Sequence, residues 1–445
     1  MSSNKKVKTP EKQLKSIKRL KKLVTTIEVI VGVILLLFGL VLFVPDVKAA
    51  IVKEMASTTI GQKIISWFGS EAYADGVFDS NFDNGKLKTN QLKYNYSEEY
   101  TNFVMYGVDS REGEVEASNS DSILIISIHN TTGQVKMVSV YRDTLLGMYD
   151  ASGNLSKYFK VNSAYAAGGP EAAINTLNMN LDLDITDYVT VNFSGVAEII
   201  DALGGIKVNL TKDEVSQLNH HLKSTISSTG RHASKIKKSG KNIKLNGIQA
   251  TTYCRIRKAT FYDPVTGDAI SNDFGRAARQ RSVIMKLVEK AKKASLSELQ
   301  EMVQTVFNSD KDNGKRIIST SFSFDEIINL IPVIFNFELS GSEGFPSELT
   351  TGTIDGTSFV IPKGISANVS ALHEYLYGEK DYQPTSNVQS VSNYVSGYTG
   401  ITEYSEGGYN PNESTTTADK DKDQEQYGEE NTNYDYDDKG KSEFY

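Results

Sequence analysis

The sequence predicts an α/β domain: helices layered on a mixed central sheet, set behind a single-pass membrane anchor. Three observations carry this. Short, mostly apolar runs such as Phe103–Val108 have the character of strands buried on both faces. Segments of helical character, such as 164–180 and 276–293, alternate with those runs in a mixed order. A stretch of 21 residues, VTTIEVIVGVILLLFGLVLFV at 24–44, carries no charge from Val29 onward. As a helix it would reach about 31 Å, enough for a hydrocarbon core of about 30 Å.

The order of elements follows from the chain. Residues 1–23 form a basic tail, with nine Lys/Arg and one Glu among the first 22, a balance of +8. Positive charge stays inside, so the N-terminus is expected in the cytoplasm and the rest outside the cell. With that tail set aside, the net charge of −7 for the whole chain becomes −15 for the remainder. So acidic an exterior argues against nucleic acid as a partner, and any anion must meet a local basic cluster. The single cysteine, Cys254, excludes an internal disulfide.

Residues 45–99 have connector composition, and a domain is expected over 100–380. Within it, 122–129 and 134–140 read as a hairpin joined by Asn130-Thr131-Thr132-Gly133. Tyr188–Phe193 reads as a strand, Gly195–Leu203 as a helix stopped by Gly204-Gly205, and Ile206–Leu210 as a strand. His220–Lys244 has the composition of an exposed polar insertion, Ala250–Ile256 that of a strand, and 325–335 that of a buried core helix. His220, His221 and His232 raise a metal site as a minor reading beside a solvated loop. From 381 to 445 the chain turns to Ser, Thr, Asn, Tyr and acids. Residues 403–445 alone hold 13 acids and 4 lysines, and a disordered acidic tail is expected.

The chemistry lies in scattered acids and guanidiniums. Asp109 follows the first strand and Asp121 opens the next. If those strands are neighbours, both carboxylates can face one hard cation, although turn or cap aspartates are the commoner outcome for such spacing. Arg142-Asp143 ends the hairpin, where a surface ion pair is the alternative to a phosphate contact. Arg255 and Arg257, two apart on an expected strand, would project on one side, an unfavourable pairing unless an anion separates them. Arg276, Arg279, Gln280 and Arg281 open a helix, where free N–H groups welcome anions but arginines are locally disfavoured. Carboxylates for a cation together with guanidinium forks for phosphate oxygens suit phosphoryl chemistry on a pyrophosphate. The chain contains no GxxxxGK[ST] loop, no GxSxG elbow and no HExxH.

These residues resemble a known family. GVDSR, NSDSILIISI, VSVYRDT, KVNSAYAAGG, DALGGIKV, LNGIQATTYCRIR and DFGRAARQR occur in that order between about 102 and 290. The set is similar to the LytR-CpsA-Psr (LCP) phosphotransferases of Gram-positive cell walls. The resemblance implies an extracytoplasmic α-β-α domain of the LCP type. It implies transfer of a phosphate-linked glycopolymer, such as teichoic acid or capsule polysaccharide, from a polyprenyl-pyrophosphate carrier to peptidoglycan. Asp109 and Asp121 would hold Mg²⁺, with Mn²⁺ the alternative. Arg142, Arg255, Arg257, Arg276 and Gln280 would grip phosphates, with Arg111, Lys160 and Arg279 as weaker carry-overs, and an apolar pocket near Gly195–Leu203 would hold the polyprenyl chain. Two departures stand out. Tyr141 replaces a frequent proline, and Asp268 competes with Asp273 for the acid before Gly-Arg, with Asp273 the better fit. Asp273 and Asp121 are the candidates to take a proton. A polyprenyl-pyrophosphate hydrolase and a non-catalytic membrane-anchored regulator are the alternatives.

Overall fold

The computed structural model describes residues 79–109, 118–264, 267–294, 317–322 and 338–406. The chain divides into two units, Met1–Asp75 and Gly76–Tyr445, and every described residue lies in the second. The expected anchor at 24–44, the segment 325–335, Arg111 and the end of the acidic tail fall outside the described residues. Among the described residues no helix is long and apolar enough to cross a membrane.

The central sheet has six strands. Its first three are β1 (Tyr100–Val108), β2 (Ser120–His129) and β3 (Gln134–Val140), and it is completed by β6 (Asp187–Asn192), β11 (Ile318–Thr320) and β12 (Glu338–Phe345). The order is β11-β6-β1-β2-β3-β12. β1 runs parallel to β6 and antiparallel to β2, and β3 runs parallel to β12, so the sheet is mixed as expected. The β2–β3 hairpin turns through the four residues read from the sequence.

Alternation along β1 sorts the two layers that cover the sheet. Val104, Tyr106 and Val108 face α1 (Ser163–Leu181), α6 (Ile365–Tyr377) and α7 (Ser386–Thr399) in the largest apolar cluster. On the opposite face, Phe103 and Met105 cluster with Leu124, Ile126 and Met137 under Ile284 and Met285 of α5 (Asn272–Ala291). The result is helix, sheet, helix. α2 (Phe193–Ala202) starts where β6 ends, its first turn capped by the Asn192 side chain accepting from the Gly195 N–H at 2.9 Å.

Four expectations are corrected. Ala250–Ile256 is not a strand. α4 (Gly247–Tyr253) starts at an Asn246/Gln249 capping box, and six of its seven residues are buried. Arg255 and Arg257 therefore leave a helix end in a turn instead of sharing a strand face. His220–Lys244 is not one exposed insertion. α3 (Lys212–Thr229), launched by a Thr211/Glu214 capping box, carries His220 and His221 and buries Leu218, Leu222 and Thr225. Further on, β8 (Gly240–Leu245) pairs with β7 (Ile206–Leu210). The fold also extends past both expected ends of 100–380. Ahead of residue 100, Tyr96 is 7% exposed and bonds His373 across the fold at 3.1 Å. Beyond 380, α7 buries Val388, Val391 and Val395, an i, i+3, i+7 stripe that closes the core.

Candidate functional site

The site is built where β1, β2, the β3 turn and the start of α5 meet. β1 and β2 are neighbours. Val108 pairs with Ser120 while Gly107 pairs with Ser122, so Asp121 is the extra residue of a bulge at the strand end. Bulges re-aim a side chain in this way next to active sites. Asp109 follows directly, and among the described residues its buried Oδ1 has no hydrogen-bond partner.

Arg142 lies in the turn after β3, and its Nη1 donates to Asp121 Oδ1 at 2.5 Å. Its Nε lies 3.6 Å from Asp143 and 3.8 Å from Asp273. Burial works against the Arg142 charge, but Asp273, Asp121 and Asp143 outweigh it and hold the guanidinium above its ordinary range. Lys160, from β5 (Leu155–Lys160), reaches Asp143 at 3.0 Å.

α5 brings the rest. Gly275 sits in its first turn against β10 (Ala269–Ile270), where a Cβ would lie 2.6 Å from the Ile270 carbonyl oxygen, so a side chain there would push the helix start away. Asp273, an acid in that turn as the helix dipole favours, accepts from Arg276 Nη2 at 2.9 Å and pairs with Arg257 at 3.3 Å. One carboxylate thus gathers Arg142, Arg257 and Arg276. Asp268 sits instead in the β9–β10 hairpin, β9 being Phe261–Tyr262, where its carbonyl accepts from the Asp263 N–H. Arg276 also donates to the Asp121 carbonyl at 3.2 Å, and its Nε is buried without a partner. Desolvation pulls its pKa down, with Asp273 opposing.

This cluster borders an apolar cleft of about 130 Å³ between the sheet, α2 and α5. Met105, Leu124, Val196, Ile199, Ile284 and Leu287 line its walls, and Asp121, Arg255 and Gln280 are its polar boundary. On α5, Gln280, Val283, Ile284 and Leu287 follow helical spacing, with the polar group toward the arginines and the apolar ones deeper. Arg255 is held over the Phe193 ring at 4.5 Å and donates to Thr225 Oγ1 at 2.8 Å. Gln280 Nε2 donates to the Cys254 carbonyl at 3.4 Å.

Asp121, Arg142, Arg257, Asp273 and Arg276 thus form one ion-pair cluster, Asp121 carries it to the cleft edge that Arg255 and Gln280 share, Lys160 joins through Asp143, and Asp109 stands at the end of β1. Arg279 stays apart. Its side chain is 0% exposed and donates to Glu214 at 3.1 Å and to the carbonyls of Ile256 at 3.2 Å and Ala259 at 2.5 Å. It fixes the turn that carries Arg257 and has no free face for phosphate. Tyr141, in the frequent proline position, packs edge-on against Phe274 at 4.5 Å and ties the Arg142 turn to the start of α5. Among the described residues, no group of three His, Cys, Asp or Glu is placed to hold a metal.

The family's sequence model matches residues 69–320, more than half of the chain. The chain belongs to the LytR-CpsA-Psr family. Biofilm regulatory protein A of Streptococcus mutans is 31% identical over 264 residues, 58% of this chain and 58% of that protein. The polyisoprenyl-teichoic acid–peptidoglycan teichoic acid transferase TagU of Enterococcus faecalis is 33% identical over 244 residues, 54% of this chain and 68% of its own. Among solved structures, protein gbs0355 of Streptococcus agalactiae is 26% identical with a TM-score of 0.51, covering 66% of this chain and 93% of that one. The described fold continues to residue 406, so α6 and α7 lie beyond the matched segment.

Sequence reasoning missed Phe193, Thr225 and Glu214. Phe193 and Thr225 seat Arg255, and Glu214 seats Arg279. Only the start of α2 after β6 hinted at the first, and nothing local marked the other two.

Proposed function

We propose that this chain transfers a phosphate-linked glycopolymer, teichoic acid or capsule polysaccharide, from a polyprenyl-pyrophosphate carrier to peptidoglycan. The observation that carries the reading is one cleft, apolar along its length, with Arg255, Gln280 and Asp121 at its edge and Arg142, Arg257 and Arg276 gathered beside it. Such a site pairs an apolar slot for the head-proximal part of a lipid tail with cations for a pyrophosphate head. The E. faecalis relative named above carries that transfer in its name.

A muramic acid 6-hydroxyl attacks the phosphorus that bears the glycan. An O–P bond forms, the P–O bond to the carrier breaks, and polyprenyl monophosphate departs. Arg142, Arg255, Arg257 and Arg276 meet the charge that develops on the phosphoryl oxygens, already oriented and partly out of water. Asp273 holds three of these guanidiniums at fixed separations. Asp273 and Asp121, with 29% and 31% of their side chains exposed, are the two candidate carboxylates to take the hydroxyl proton.

The residues fit a divalent cation. Asp109 Oδ1 is buried and, among the described residues, unpaired, a donor atom that a hard cation satisfies, and Mg²⁺ commonly takes one or two carboxylates together with substrate phosphates. Asp109 and Asp121 would hold Mg²⁺, or Mn²⁺, which supplies neutralisation of phosphoryl charge. In this reading 24–44 anchors the chain in the membrane of a Gram-positive cell, with the N-terminus cytoplasmic and the domain outside, beside its membrane-borne substrate.

The test is product analysis. The full-length chain is supplied with a lipid-linked pyrophosphate glycan, peptidoglycan and Mg²⁺. The expected product is glycan joined to peptidoglycan by a phosphodiester. Free glycan phosphate would make the protein a hydrolase. Lipid binding without any product would leave a sensor.

A further inference from the structure

α7 lies outside the matched family segment, and nothing in the reaction above uses it. From Ser386 to Thr399 it carries no charged residue, in a chain that is 23% charged. Its inner stripe of valines closes the core. Its outer face shows Gln389, Ser390, Asn393, Tyr394, Gly397 and Tyr398, all exposed. A surface helix ordinarily presents charged and polar side chains there. Here the two tyrosines are 48% and 51% exposed.

The rings form a row. Tyr158 of β5 stacks on Tyr394 at 3.7 Å and 14°, and Tyr398 follows at 6.1 Å and 22°. The Tyr398 hydroxyl donates to Asp355 at 3.3 Å. Three nearly parallel rings are thus held in place before any ligand arrives. β5 links the row to the site cluster. Tyr158 and Lys160 are two apart on β5 and share a face, about 7 Å apart along the strand. Lys160 reaches Asp143. The row therefore leaves the cluster through Asp143, whereas the apolar cleft meets it at Asp121, Arg255 and Gln280.

We propose that this face docks a neutral pyranose glycan, namely the acceptor strand; the proposal rests on the transferase reading above. Tyr158 covers one face of Tyr394, and the exposed remainder of Tyr394 with the Tyr398 ring offers apolar surface to the C–H groups of sugar rings. The amides and hydroxyls of Gln389, Ser390 and Asn393, with the Asp355 carboxylate, match sugar hydroxyls as donors and acceptors. A phosphate-rich polymer calls for cations, which α7 lacks, and meets repulsion from Asp355. An anionic membrane calls for lysines and large aliphatics, also missing from this helix.

The experiment is co-sedimentation of the full-length chain, in detergent, with insoluble peptidoglycan stripped of phosphate-linked polymers. A Tyr394→Ala/Tyr398→Ala pair should weaken binding by about tenfold, at about threefold for each lost ring contact. The Tyr394→Phe/Tyr398→Phe pair should bind as the unaltered chain does. In turnover, the Ala pair should raise the acceptor KM and leave the KM for the lipid-linked donor unchanged. Asn393→Ala, which alters no ring, should also weaken binding and guards against a folding defect in the Ala pair. Unchanged sedimentation of both the Ala pair and Asn393→Ala would overturn the proposal, as would competition by a teichoic acid as strong as that by a neutral glycan. Sedimentation is read without turnover, so the track and the transfer reaction can fail separately.

Discussion

Replacing Arg279 with Met separates a structural arginine from a phosphate ligand. In a sequence motif crowded with phosphate-binding arginines, Arg279 looks like one more. In the fold it is 0% exposed, paired with a Glu214 side chain that is itself 4% exposed, and it holds two backbone carbonyls. Its guanidinium also lies 5.7 Å from the Tyr253 ring and 5.6 Å from the Phe261 ring. Methionine preserves most of the stem but none of the donors. Leaving a buried carboxylate uncompensated costs about 3–5 kcal/mol. Each abandoned carbonyl adds roughly 1–3 kcal/mol where water cannot reach it. These losses overlap, because the 256–259 turn can relax, so the net is about 4–6 kcal/mol. At roughly 2–4 °C per kcal/mol, melting should fall by about 8–24 °C. Thermal unfolding of the full-length Arg279→Met chain, followed by near-UV circular dichroism, is the assay. Glu214→Gln should destabilise in the same direction, and the double variant should lose less than the two single losses combined. A variant that melts with the unaltered chain yet no longer binds polyprenyl pyrophosphate would refute this reasoning and make Arg279 a ligand.

Three further outcomes are expected. Ile284→Trp, which fills the apolar cleft, should cut affinity for polyprenyl pyrophosphate by about tenfold or more while inorganic pyrophosphate binds as before; equal losses for both ligands would separate the cleft from the lipid. Asp273→Asn should lower both melting temperature and kcat, because Arg142, Arg257 and Arg276 lose their shared counter-charge; a variant with normal kcat would remove Asp273 from the site. His221 is depressed to about 4 by burial, then by His220, Arg255, Arg257 and Lys258. Its contribution to stability is therefore full above about 6.5, the unfolded value, and is lost as pH falls toward 4. Pyrophosphate beside Arg255 and Arg257 should raise the His221 pKa, and an imidazole titration by NMR that does not move at saturation would place the anion elsewhere.

The readable parts of the chain were those decided locally. β1, β2 and β3 are bounded runs with a turn of defined chemistry between two of them, and α5 has an apolar stripe behind a polar start. Ala250–Ile256 was misread because Thr251, Thr252 and Tyr253 favour strands, while the deciding signal, the Asn246/Gln249 box, lies ahead of the run. α7 hid in a segment dominated by Ser, Asn and Tyr, where three valines at helical spacing are enough once a sheet and α1 await them. The site acids and arginines were legible as types. Their assignment was not: Arg276 and Arg279 lie three apart on one helix, and only the long-range placement of Glu214 sends one into the core and leaves the other beside Asp273. The spacing to Arg276 already favours Asp273 over Asp268, but the gathering of Arg142 and Arg257 onto the same carboxylate is a property of the assembled turn.

A structure of the full-length chain with polyprenyl pyrophosphate tests the central claim most directly. The account predicts phosphate oxygens within hydrogen-bonding distance of Arg142, Arg255 and Arg276, and isoprenoid carbon between Ile199 of α2 and Ile284 of α5. A headgroup bound away from Asp121 and Asp273, or a tail lying outside the cleft, would contradict it.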